Sequence, residues 1–146
     1  MRFELEKKFL ERVENIEDKT NKKELIDSEK INKLKTQYPN IPNDFLDYLS
    51  EIGAGNIREC QFKIQPYLFD FEDIGLENVY KIQNGIKFFG DNYCGDFAGF
   101  DLNENDGKVV EFWHDSAEFY YTNKSFHEYI RIQMLMDDNG NDLSIK

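Results

Sequence analysis

The chain predicts a single α+β domain, a mainly antiparallel sheet of about four to six strands with N-terminal and C-terminal helices packed against it. Three observations lead there. Apolar residues recur with a helical period as far as Ile52, with a period near two from Ile57 onward, and with a helical period again after Ser125. At 146 residues the chain has the usual size of one domain, roughly 100–200 residues. Its 40% apolar and 15% aromatic content suffices for a core. No internal repeat, low-complexity tract or linker divides it, so residues 1–146 are expected to form one unit.

The first helix is read from Leu5, Phe9, Val13 and Ile16, which share one face of a 3.6-residue period, with Glu and Lys alternating on the other. The polar run 18–21 ends it. A second helix is predicted over Lys23 to Gln37, with Leu25, Ile31 and Leu34 inward and Pro39 preventing its continuation. Pro42 opens a third, whose stripe is Phe45, Leu49 and Ile52; Asp44 favours its N-terminal dipole and Gly53 stops it.

Alternation then predicts one strand over 57–65, closed by Pro66. A turn follows at 69–75, a short helix or irregular piece at 78–83, and an apolar strand from Ile86 to Phe89 that ends at Gly90. Three further strands are expected near 96–102, 108–114 and 118–122, the first two joined by a loop carrying the hairpin signal Asp106-Gly107. Gly95 and Gly99 point to close backbone approach or a bulge. In the middle strand Val109, Glu111 and Trp113 share one face while Val110, Phe112 and His114 share the other, so neither face is simply the solvent side. Ser125 and Glu128 form a capping-box pattern for the last helix, whose stripe is Phe126, Tyr129, Ile130, Gln133 and Met134. The polar tail, 137–146, is expected to be loose.

The formal net charge is −11 and it is unevenly placed. Residues 1–37 hold ten Lys/Arg against nine Asp/Glu, whereas 38–146 hold eight against twenty. Direct contact with a nucleic-acid backbone needs a basic face, so it is disfavoured, and an acidic membrane surface would repel the later part. No apolar run approaches the roughly 20 residues that span a bilayer, and the N-terminus lacks a signal peptide's apolar centre. A soluble, cytoplasmic protein is expected. Cys60 and Cys94 form no CxxC pair and are expected as buried or half-buried free thiols.

The stretch Phe88 to Tyr121 concentrates aromatics and acids. Between 88 and 123 stand eight carboxylates, with Lys108 the only Lys or Arg. Such a region is either a solvated sheet surface or a docking surface for a basic protein, whose approach the field would steer. Trp113 divides in the same way between sheet packing and an interface anchor.

Catalytic alternatives have little to stand on. No phosphate loop, dinucleotide fingerprint, nucleophile elbow or HExxH is present. His127 falls within the cap of the last helix and is expected to be exposed. Glu111 and His114 point to opposite faces of their strand, which argues against a metal or acid–base pair there. No catalytic residue, metal or cofactor is therefore expected.

One set of residues carries a resemblance: Ile41-Pro42-Asn43-Asp44-Phe45-Leu46 with Gly53-Ala54-Gly55, then Ile86 to Gly90, Gly95 to Asp101, Gly107 to Val110, and Ser125-Phe126 with its helix. In that order they resemble the SUKH superfamily, which includes the Smi/Knr-type regulators, over about residues 24–136. The resemblance implies a non-enzymatic protein. Bacterial members are similar to immunity proteins that neutralise a cognate polymorphic toxin, often a nuclease. The acidic, aromatic stretch agrees with that implication and points to occlusion of a basic toxin domain, with contacts expected from Asp91, Tyr93, Asp96, Asp101, Asp106, Glu111, Trp113, Asp115 and Glu118. A regulatory or scaffold protein of the Smi/Knr type, binding host proteins, is the alternative the resemblance leaves.

Overall fold

The structure is a computed structural model that describes residues 1–144. Four helices pack on one sheet: α1 (Glu4–Val13), α2 (Ser28–Gln37), α3 (Asn43–Glu51) and α4 (Phe126–Met134). The sheet contains β1 (Lys23–Glu24), β2 (Ala54–Ile57), β3 (Phe62–Phe69), β4 (Ile86–Asp91), β5 (Phe97–Asp101), β6 (Lys108–Trp113) and β7 (Glu118–Ser125). Each strand pairs antiparallel with the next, so sheet order follows chain order. The α+β architecture is as expected, with seven strands rather than four to six.

The extra strands come from two places where distant residues override local pattern. The single strand expected over 57–65 is a hairpin. Arg58, Glu59 and Cys60 take left-handed φ values of 49°, 53° and 68° and turn the chain back, pairing Ile57 with Phe62. None of the three is a glycine, so the turn needs outside support. Glu14 accepts from the Arg58 N–H at 2.7 Å and Asn21 accepts from the Glu59 N–H at 2.8 Å. Pro66 lies inside β3 rather than closing it, between Ile64 and Phe69, where the register with β4 shifts.

Lys23 and Glu24 form an edge strand against β2 instead of a helical turn. The second helix begins only at Ser28, where the Asp27 carboxylate caps the Lys30 N–H. Leu25 is thereby exposed and Ile26 buried. The first helix is also rotated from its expected phase. Phe9 faces inward as expected, but Leu10 and the charged Glu6 join it, while Leu5 is exposed and Ile16 is 97% exposed. The reason is ionic: Glu6 is reached by His127 Nε2 at 2.7 Å and Arg131 Nε at 3.3 Å, which compensates part of the cost of its burial.

The third and fourth helices follow local rules. Pro42 precedes α3, and Gly53 ends its turn with φ +107°, where a Cβ would sit 2.6 Å from the Glu24 carbonyl oxygen. Ser125 and Glu128 complete the capping box of α4. Gly99 is needed for close approach, since a Cβ there would lie 2.1 Å from the Lys87 carbonyl oxygen across the β4–β5 pair.

Both faces of the sheet are covered. On one, α1, α3 and α4 bury Phe9, Phe45, Leu49, Phe126 and Ile130 against Phe62, Phe89, Phe100 and Val109. On the other, the segment between β3 and β4 folds back and sets Phe71, Leu76 and Tyr80 over Phe88, Val110 and Phe112. This is why Val109 and Val110 are both apolar.

The tail expected to be loose is tied down as far as it is described. Asp142 receives two bonds from the Arg58 guanidinium at 2.8 and 3.1 Å, and the Leu143 N–H donates to the Leu135 carbonyl. Arg12 donates to the Gly140 carbonyl. Residues 145–146 of that stretch lie outside the described residues.

Candidate functional site

Where the strands end decides which of the nine expected contact residues meet. The pairing sets Asp91 beside Phe97, Phe97 beside Phe112, and Trp113 beside Glu118. The end of β4, start of β5, end of β6 and start of β7 therefore form one rim of the sheet. Asp91, Tyr93, Asp96, Trp113, Asp115 and Glu118 gather along it, with Glu111 two residues further into β6. Asp101 ends β5 at the opposite rim and Asp106 lies in the loop beyond it. The nine thus divide into seven and two, because the sequence separates residues by number while an antiparallel sheet separates them by strand end.

Turn geometry holds the rim acids. Asp96 Oδ1 accepts from the His114 backbone N–H at 3.0 Å and lies 2.8 Å from its Nδ1, while Asn92 donates to Oδ2 at 3.3 Å. Partial burial pushes the Asp96 carboxyl up, but the two His114 bonds prevail and hold it below the usual carboxylate range. Asp91 accepts from the Tyr93 N–H at 2.9 Å, and the Tyr93 hydroxyl bonds to Asn56. Asp96, His114 and Asp115 each offer an atom within 4.8 Å of the others. The partner of His114 is Asp96, 18 residues away, a pairing that the neighbouring Glu111 and Asp115 did not point to.

An aromatic pair stands beside these acids. The rings of Trp113 and Tyr120 lie 4.1 Å apart, with the indole 42% exposed. Glu111 takes Trp113 Nε1 at 3.3 Å and the Tyr129 hydroxyl at 2.7 Å, so it links α4 to β6. Burial, then the bond to Glu111, raises the Tyr129 phenol above its usual range. Tyr120 donates to Glu118 at 3.3 Å. Tyr120 was not among the nine; strand parity joins it to Glu118 and Trp113 once the β6–β7 turn is known.

Among the described residues, no Lys or Arg side chain forms an ion pair with any of the nine. His114 is the one ionic partner, to Asp96. At the far rim, Asp101 accepts from the Tyr121 hydroxyl at 2.7 Å, and that bond, with partial burial, pushes the phenol up to about 12. Asp106 accepts from the Lys108 N–H.

Other expectations change. His127 is largely covered, bonded to Glu6 with its ring centroid 4.4 Å from that of Phe3, rather than exposed. Cys60 is half-buried as expected, but Cys94 is exposed.

The model of the SMI1 / KNR4 family (SUKH-1) matches residues 25–132, well over half the chain. The chain belongs to that family. The matched span runs from just after β1 into α4, so the SUKH-1 region holds both rims of the sheet, while α1 and the clasping tail lie outside it. No curated protein and no solved structure matches the chain. Among the described residues, no helix is long and apolar enough to cross a membrane.

Proposed function

We propose that this SUKH-1 protein is an immunity protein, acting in the cytoplasm, that binds a basic toxin domain and neutralises it by occlusion without catalysing a reaction. The supporting observation is the rim of Asp91, Tyr93, Asp96, Glu111, Trp113, Asp115 and Glu118, whose carboxylates no Lys or Arg of the described residues neutralises. Carboxylates without a Lys or Arg partner raise the encounter rate with a cationic surface, and a half-exposed Trp113 supplies an anchor of the type found at interface centres. If the toxin is a nuclease, carboxylates standing where phosphates would lie block its cleft. Asp101 and Asp106 extend the field from the far rim without joining the main patch.

Co-expression with a candidate basic toxin domain, sought among the neighbouring genes, is the direct test. Rescue of growth, lost when the rim acids become Asn or Gln, is the expected result. A chain that protects against no adjacent toxin and instead co-purifies stoichiometrically with a host regulator would sink the immunity reading and favour the scaffold one.

A further inference from the structure

The two edges of the sheet differ. At one, β1 is two residues long, too short to template another strand. At the other, β7 runs for eight residues and pairs only with β6 among the described residues. Every second N–H and C=O of β7 therefore points away from the sheet. A bulge protects its far half: Asn123 takes φ 58° and the β6–β7 register shifts between Lys108 and Val110. Glu118 to Thr122 is the stretch left open.

The side chains flanking that stretch define what would pair with it. Toward the helices, Glu118 and Tyr120 stand beside Trp113 and Glu111. On the other face, Phe119 is half-buried and Tyr121 is 53% exposed. An added strand thus meets carboxylates with an aromatic stack on one face and two aromatic rings on the other. A second copy of this chain is a poor occupant, because self-pairing would bring Glu118, Asp115 and Glu111 of two strongly acidic molecules together. A strand alternating Lys or Arg with apolar residues matches both faces. Its cations would lie by Glu118 and over the Tyr120–Trp113 pair, and its apolar side chains against Phe119 and Tyr121.

We infer that β7 takes an extended segment of the partner, alternating cationic and apolar residues, as an eighth strand of the sheet. The inference rests on the immunity reading and specifies how the partner's chain lies on it.

The test uses the full chain and a capped Lys-Val-Lys-Val-Lys peptide. Trp113 is the only tryptophan, so its fluorescence reports binding at this edge. Binding should shift that emission and slow amide exchange in β7. An added strand bonds through only one parity of its nitrogens, so two N-methylated peptides are compared, one of each parity. One should bind about tenfold or more weaker, a loss of roughly 1.4 kcal/mol, while the other keeps its affinity. Equal affinity of both for the protein, absence of binding, or binding that leaves β7 exchange unchanged overturns the strand. Such a failure beside intact toxin neutralisation removes the strand alone; failed neutralisation removes the function beneath it.

Discussion

Replacing Phe71 by Ala tests whether the face of the sheet opposite the helices is a structural core. Phe71 is 1% exposed, and its ring lies 4.8 Å from Phe112, 5.1 Å from Phe88 and Tyr80, and 5.9 Å from Phe97. It comes from the segment between β3 and β4, which contains no helix or strand. Truncating a buried phenylalanine costs about 3–5 kcal/mol, the lost transfer energy plus the cavity left behind. That is a large share of the roughly 5–15 kcal/mol that holds a domain folded. At about 3 °C per kcal/mol for a chain of this size, Tm should fall by roughly 10–15 °C. Urea and thermal unfolding, followed by far-UV circular dichroism and by Trp113 fluorescence, measure it. Trp113 follows Phe112 in β6, so both probes should move together if the two faces unfold as one unit. A loss below about 1 kcal/mol, or two separated transitions, would refute the reasoning by showing that the covering segment lifts without disturbing the sheet.

Gly99→Ala places a Cβ 2.1 Å from the Lys87 carbonyl oxygen and should lower Tm or soluble yield sharply, read in the same melts. Asp142 is held at about 2 by the Arg58 guanidinium and then by Ser144, below the ordinary value near 3.9. A depressed carboxyl stabilises the fold above its unfolded value and loses that contribution as pH falls toward 2, so Asp142→Asn should destabilise near neutrality and match the parent near pH 2. Asp101→Asn should bring Tyr121 down from about 12 toward an ordinary phenol, visible in an ultraviolet absorbance titration. Exchanging Asp91, Asp96, Asp115 and Glu118 for Asn or Gln should slow association with a basic partner about tenfold and flatten its salt dependence, by stopped-flow kinetics.

The amino-acid sequence by itself determined the elements whose signals are local. Pro42 and Gly53 bound α3, Ser125 and Glu128 start α4, and Asp106-Gly107 turns β5 into β6. These signals act within a few residues through capping bonds and allowed φ values. The acidity of the 88–121 stretch was equally legible, since charge needs no fold to be counted. Tertiary structure alone decided the rest. The turn at 58–60 is held by Glu14 and Asn21, 44 and 38 residues away, and the phase of α1 by a Glu6–His127 bond spanning 121. The tail is clasped by Arg58 across 84 residues. The division of the nine proposed contact residues between two rims likewise depends on strand register. In each case the deciding partner is remote in sequence, and no local pattern records where the chain will bring it.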